Sequence, residues 1–266
     1  MATPLFELLD VRYEYGAQRG LQGVTFNVPK GARIALLGAN GSGKSTLLRL
    51  LDGLYLPSAG SIVFDGVPLE EARMEEEEFV FYFRRRVALL FQDPDVQLFN
   101  STVFDEVAFG PLQLRWPKDT IEAKVQQALQ RLEIAELRDR SPHRLSGGEK
   151  KRVALASILI LEPEVLLLDE PTGALDPRSQ SQFIHLLEHL DKDKTVITAT
   201  HDLDIVEDIA DYCYVLESGR VIAEGEPSEV LANVTLLERA NLIHAHHHIH
   251  GAEEPHYHPH LHPPHA

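Results

Sequence analysis

Gly38-Ala-Asn-Gly-Ser-Gly-Lys-Ser45 sets three glycines, a lysine and a serine in the pattern GxxxxGK[ST]. It follows the apolar run Arg33-Ile-Ala-Leu-Leu37 and opens the helical run Ser45-Thr-Leu-Leu-Arg-Leu-Leu51. Strand, glycine-rich turn and helix in that order make a phosphate loop. Gly38, Gly41 and Gly43 let the backbone turn tightly, so that successive N–H groups and the helix N-terminus converge on an anion. Lys44 would reach the β and γ phosphates of ATP, and the Ser45 hydroxyl is placed for Mg²⁺. Thr46 and the amides of Asn40 and Ser42 remain for the α and β phosphates.

Downstream, Val165-Leu-Leu-Leu168 runs into Asp169 and Glu170, two carboxylates at the C-terminal end of an apolar strand, where open α/β sheets bind ligands. Asp169 is the candidate Mg²⁺ holder and Glu170 the group that orients the attacking water. Other runs, Phe6–Val11, Gly23–Val28, Ser61–Phe64, Val87–Phe91, Thr195–Ala199 and Cys213–Leu216, predict further strands. Most lack polar alternation, which suggests burial on both faces. Helices fit Lys44–Leu51, Asp119–Leu132, Gly148–Leu161, Pro177–Leu190 and Leu203–Ala210. Residues 93–157 hold helical patterns with few strand signals, as a helical insertion would. The four acids Glu75–Glu78, then FVFYF and Arg84–Arg86, read as a solvated helix end leading into a strand.

Composition narrows the class. A net charge of −16 argues against a nucleic-acid partner, because phosphate backbones are held by basic patches. The longest apolar stretch, Val153–Leu161, falls short of the ~20 residues of a spanning helix. MATPLFELLD has neither basic leader nor long apolar core, so the expectation is a chain that stays in the cytosol. Cys213, the sole cysteine, is expected in a buried strand.

Leu145-Ser-Gly-Gly-Glu149 lies between the two sites, with Ser146 placed 23 residues before Asp169. With these motifs the sequence resembles the ABC-type ATPase subunits. The resemblance implies an α/β P-loop NTPase fold with a RecA-like core, an N-terminal antiparallel β subdomain and an α-helical subdomain. It also implies a head-to-tail dimer, in which Ser146, Gly147, Gly148, Glu149 and Asp176 meet the nucleotide of the opposite subunit. By the same resemblance Tyr15 stacks on adenine, Gln92 approaches Mg²⁺ with Ser45 and Asp169, and His201 bonds the γ phosphate. The catalytic set is therefore Glu170, His201 and Gln92. Because this one chain carries both the phosphate loop and LSGGE, a homodimer would hold two competent sites.

Phe91-Gln-Asp-Pro-Asp-Val-Gln-Leu-Phe99, with Thr102-Val-Phe-Asp-Glu-Val-Ala-Phe-Gly-Pro111, resembles the ATPase subunits of energy-coupling-factor importers. That likeness implies integral membrane coupling and substrate-binding partners, a place at the cytoplasmic face of the membrane, and Leu98, Phe99 and Val103 as contacts for a coupling helix. Residues 1–230 would form the nucleotide-binding domain, 231–243 a helix or linker, and 244–266 a flexible tail. The tail holds ten of the fourteen histidines and four prolines, a composition that builds no core. His256, His258, His260 and His262 could chelate Ni²⁺ or Co²⁺. Such a tail on such a motor resembles the cobalt and nickel importers, with cobalt slightly favoured over nickel; the alternatives are a vitamin importer of the same type or a soluble nucleic-acid-linked ABC ATPase.

Overall fold

The computed structural model describes residues 4–243 apart from Ala17, Ala174 and Lys192, so the histidines at 256, 258, 260 and 262 lie outside the described residues. In chain order the strands are β1 (Phe6–Tyr15), β2 (Gln18–Val28), β3 (Arg33–Leu37), β4 (Ala59–Phe64), β5 (Val67–Pro68), β6 (Val87–Leu90), β7 (Val165–Asp169), β8 (Thr195–Thr200), β9 (Tyr212–Glu217) and β10 (Arg220–Gly225). They make an antiparallel sheet ordered β2-β1-β4-β5 and a larger sheet ordered β10-β9-β3-β8-β7-β6. The larger sheet is parallel except for β10, which returns antiparallel along β9.

The unalternated apolar runs are explained by this sheet. Ile34 and Leu36 of β3, Val87 and Leu89 of β6, and Leu167 of β7 pack into one cluster together with Phe6, Phe26 and Phe64 of the antiparallel sheet. Their neighbours Ala35, Leu37, Ala88, Leu90, Leu166 and Leu168 join a second cluster on the opposite face. Every position of such a strand is therefore inside, which removes the period-two signal.

The helices are α1 (Lys44–Leu51), α2 (Glu71–Met74), α3 (Glu77–Arg86), α4 (Val103–Gln113), α5 (Lys118–Arg131), α6 (Gly147–Leu159), α7 (Pro177–Glu188), α8 (Val206–Ile209), α9 (Pro227–Ala232) and α10 (Val234–Arg239). Six of the eight residues of α1 are buried, because it packs in the cluster shared by the two sheets. Residues of α4, α5, α6 and α7 cover the other face of the large sheet. Among the described residues no helix is long and apolar enough to cross a membrane.

Two local features differ from expectation. FVFYF belongs to α3, and β6 starts only at Val87. Glu77 and Glu78 in the first turn and Arg84, Arg85 and Arg86 in the last complement the helix dipole, while Phe79 and Phe83 bury one face at i, i+4 spacing. Strand β10 was not foreseen. Its residues are only partly buried, and it follows β9 through Ser218 and Gly219, both with positive φ. Cys213 lies where expected, in β9, and burial pushes its thiol up to about 12.

Candidate functional site

The phosphate loop leaves the C-terminal end of β3 and enters α1, and its shape depends on glycine. Gly38 has φ 153°, and a Cβ there would lie 2.4 Å from the Leu216 carbonyl oxygen. Gly43, the N-cap of α1, has φ 110° and would press a Cβ within 2.8 Å of Leu21 Cδ2. Only a residue without a side chain fits either place. Lys44 is buried, and its Nζ donates to the Gly38 carbonyl at 2.6 Å and the Ala39 carbonyl at 3.3 Å. Phosphate oxygens would compete for this ammonium with those carbonyls. Ser42 Oγ is buried inside the loop with no hydrogen-bond partner, a donor that suits an anion.

Strand β7 brings its terminal carboxylates to the same place. Ser45 Oγ donates to Asp169 Oδ1 at 2.9 Å. Burial raises the Asp169 pKa, with the neighbouring Glu170 charge adding to the rise and the Ser45 bond opposing it. A hydroxyl beside a carboxylate, with the amide of Gln92 on the same cleft, is an all-oxygen donor set of the kind Mg²⁺ takes, and its two charges would relieve that strain on Asp169. The residues fit the ion.

Glu170 follows the strand with φ 45°, a sparsely populated conformation for a residue with a side chain. Its N–H donates to the Ala199 carbonyl at 2.9 Å, and its own carbonyl accepts from Lys151 Nζ at 2.7 Å. Both bonds hold the backbone in that shape. Glu170 Oε1 lies 3.4 Å from Lys44 Nζ and 2.9 Å from His201 Nδ1. Neither Oε1 nor Nδ1 has an aligned hydrogen-bond partner, so the attraction between them is that of an ion pair when His201 is protonated. Burial works to raise the Glu170 pKa, but His201 and Lys44 outweigh it and hold it below the ordinary value. The contact with Glu170 raises His201 in turn, against a smaller effect of burial.

A cleft of about 550 Å³ opens over these groups, lined by Tyr15, Asn40, Gly41, Lys44, Gln92 and Glu170 among others. Tyr15 stands at its wall, half exposed, with its hydroxyl 3.2 Å from Thr46 Oγ1. Tyr13 instead stacks on Tyr55, with ring centroids 5.0 Å apart. The structure thus brings Tyr15, the phosphate loop, Gln92, Asp169, Glu170 and His201 together.

The LSGGE residues do not line this cleft. Ser146 caps α6 by accepting from Glu149 N, and the Glu149 carboxylate accepts from Ser146 N at 2.7 Å, a capping box. Those bonds lower the Glu149 pKa. Ser146 is exposed, and a Cβ on Gly147 would meet nothing within 4 Å, so this turn faces outward. Asp176 is likewise exposed and caps α7 by accepting from Arg178 N and Ser179 N.

Downstream of Gln92 one expectation needs correction. Leu98 and Val103 are 2% and 0% exposed and belong to the core, whereas Phe99 is 61% exposed and meets Phe109 edge-on at 4.9 Å. In a turn followed by a helix, side chains alternate between core and solvent too quickly for apolarity to sort them. Two buried groups escaped the sequence reading. Glu106 accepts from Phe99 N and Asn100 N, which fixes the turn that carries Phe99. Lys151 falls on the inner face of α6 with Leu155 and Ile158, at i, i+4 and i+7, which is the one signal that could have marked it as buried.

Comparison with known proteins places the chain in a family. Residues 21–173 match the family model described as ABC transporter. The nickel import ATP-binding protein NikO of Rhodobacter capsulatus is 56% identical over 91% of this chain and 96% of its own length. The energy-coupling factor transporter ATP-binding protein EcfA of Methanothermobacter thermautotrophicus is 41% identical over 90% of this chain and 76% of its own. Among solved structures, cbiO1 from Clostridium perfringens, described as part of the ABC transporter complex cbiONQ, superposes with a TM-score of 0.76 at 39% identity, covering 91% of this chain and 96% of that one. With the family model spanning more than half of the sequence and these likenesses running nearly end to end, the chain belongs to the ABC transporter family, as an ATP-hydrolysing subunit of energy-coupling-factor type.

Proposed function

We propose that this ATPase drives import of a divalent transition metal, with nickel ahead of cobalt, by closing on ATP as a homodimer beneath integral membrane subunits at the cytoplasmic face. The observation that supports it most is the convergence of Lys44, Ser45, Asp169, Glu170 and His201 around one cleft, with the exposed LSGGE turn outside its lining. A site with its own phosphate loop but an outward-turned signature has the shape of one half of a composite site. The preference for nickel rests on the 56% likeness to NikO, against 39% for cbiO1, and revises the slight preference for cobalt drawn from the sequence.

In this reading Lys44 and the loop amides hold the phosphates, and Tyr15 carries the adenine. Ser45, Gln92 and Asp169 would hold Mg²⁺, whose charge would offset that developing on the phosphates. Glu170 orients water for in-line attack, and its depressed pKa keeps it an acceptor. His201 fixes the Glu170 carboxylate and donates toward the γ phosphate. Ser146, Gly147 and Gly148 of the second subunit complete the anion site at a helix N-terminus, with Glu149 bracing that turn and Asp176 joining the interface. Phe99 and Phe109 face the membrane partner, no nucleic acid takes part, and the histidine-rich tail binds cargo metal near the exit.

Uptake by cells expressing the complete complex, with Ni²⁺ and Co²⁺ offered separately, tests the cargo. Accumulation of Ni²⁺ that disappears with Lys44→Ala is the expected result. Absence of ATP-dependent accumulation of either ion overturns the metal assignment and leaves the vitamin alternative.

A further inference from the structure

The C-terminal turn of α7 carries a second cluster of metal-ligating groups, far along the helix from Asp176 at its N-cap. His185, Glu188 and His189 are exposed, and one ligand atom of each lies within 4.8 Å of the others. Positions i, i+3 and i+4 fall on one helix face, and two histidines four apart are a spacing by which helices grip zinc. The His185 and His189 rings lie with centroids 4.0 Å apart and planes tilted by 58°, and His185 Nδ1 lies 3.6 Å from Glu188 Oε2.

The second ring is already oriented. His189 Nδ1 is 2.7 Å from the His185 carbonyl oxygen. A carbonyl only accepts, so Nδ1 carries the proton and Nε2 presents its lone pair outward, the arrangement by which outer hydrogen bonds ready a histidine for a metal. His189 also caps the C-terminus of α7, where the helix dipole favours a cation. First-row ions hold nitrogen and oxygen ligands at about 2.0–2.2 Å, so small rotations of three exposed side chains close the set.

We infer that His185, Glu188 and His189 form a site for a divalent first-row transition metal, built on the C-terminal end of α7. Two imidazoles and one carboxylate suit Ni²⁺, Zn²⁺ and Cu²⁺ better than Mg²⁺ or Ca²⁺. None of the three residues lines the nucleotide cleft. The site stands whether the complex moves a metal or a vitamin, since it rests on α7 alone.

Carbethoxylation of histidine in the full chain, read residue by residue by mass spectrometry with and without Ni²⁺, tests this directly. At nickel concentrations that saturate the tail histidines, labelling of both His185 and His189 should slow while labelling of exposed His143 stays the same. Loss of an outer partner of a ligand costs roughly ten- to a hundredfold in affinity, so His189→Ala should raise the nickel needed to protect His185 by at least that factor. Replacing His256, His258, His260 and His262 by alanine should leave protection at α7 intact. Unchanged labelling of either His185 or His189, or protection of His185 that survives His189→Ala at the same nickel concentration, overturns the proposal.

Discussion

Lys151 Nζ reaches from α6 to the carbonyl oxygen of Glu170 at 2.7 Å, so the helix opened by LSGGE is bonded directly to the backbone of the carboxylate after β7. Lys151 is 3% exposed, and burial lowers its pKa to about 8 against the opposing pull of Glu170, Asp169 and Asp93. The bond helps to hold the left-handed backbone of Glu170.

Lys151→Met keeps the aliphatic length but removes the donor. The Glu170 carbonyl then keeps only its turn bond from Gly173 N at 3.1 Å. Loss of a hydrogen bond to a charged group predicts a stability decrease of about 1.5–3 kcal/mol in urea unfolding. Misplacing the Glu170 side chain by ~1 Å predicts a kcat loss of up to about a hundredfold, with KM for ATP nearly unchanged. A rise in KM at constant kcat would show that Lys151 acts on binding instead.

Glu170→Gln retains the size and the φ of the native residue but gives up the charge that orients water. Turnover should fall by roughly a hundred- to ten-thousandfold, while equilibrium ATP binding persists through Lys44 and the loop amides. Near-normal steady-state hydrolysis would remove Glu170 from the mechanism.

The ion pair of Glu170 and His201 has a pH window. Glu170 is depressed below its ordinary 4.5, so its share of the stability is present above that value and is lost as pH falls through the folded pKa. His201 is raised above 6.5, so its share is full below 6.5 and is lost as pH rises through the folded pKa. The stability difference between the native chain and His201→Ala should therefore be larger near pH 6 than near pH 9. Urea unfolding at the two pH values reads it, and a pH-independent difference would mean that His201 acts only by packing.

Leu98 and Phe99 are adjacent and apolar, yet their replacement should have opposite consequences. Leu98→Ala removes a core side chain and predicts a loss of about 2–5 kcal/mol in stability. Phe99→Ser removes an exposed ring and its edge contact with Phe109, and predicts a smaller loss of about 0.5–1.5 kcal/mol, with ATP hydrolysis by the separate chain intact. Co-purification with the membrane subunits should fail for Phe99→Ser, and undiminished recovery of the complex would take Phe99 out of the docking surface.

Much of this architecture was legible because its signals are local. Gly38–Ser45 carries its strand and its helix within twenty residues, and Val165–Glu170 ends an apolar run in two acids, so both halves of the cleft could be placed without knowing how they meet. The signals that misled depend on what lies across space. FVFYF is rich in β-formers, but the charges at its two ends and the burial of Phe79 and Phe83 favour a helix. Strand β10 is half exposed and had only the Ser218-Gly219 turn to announce it. Lys151 and Glu106 look like surface charges in sequence, and only the fold reveals the carbonyl and the amides they satisfy. Leu98 and Phe99 differ solely in which way the turn points them.

The central claim is that the nucleotide site is shared between two copies of the chain, with the LSGGE turn of one closing the phosphate loop of the other. Sedimentation velocity on Glu170→Gln, compared with Glu170→Gln carrying Ser146→Arg, tests it most directly. ATP should convert the first protein from monomer to dimer and leave the second monomeric although ATP is bound, because Ser146 lies outside its own cleft. An ATP-driven dimer that forms equally well with Ser146→Arg, or a Glu170→Gln chain that binds ATP and stays monomeric, would contradict the composite site.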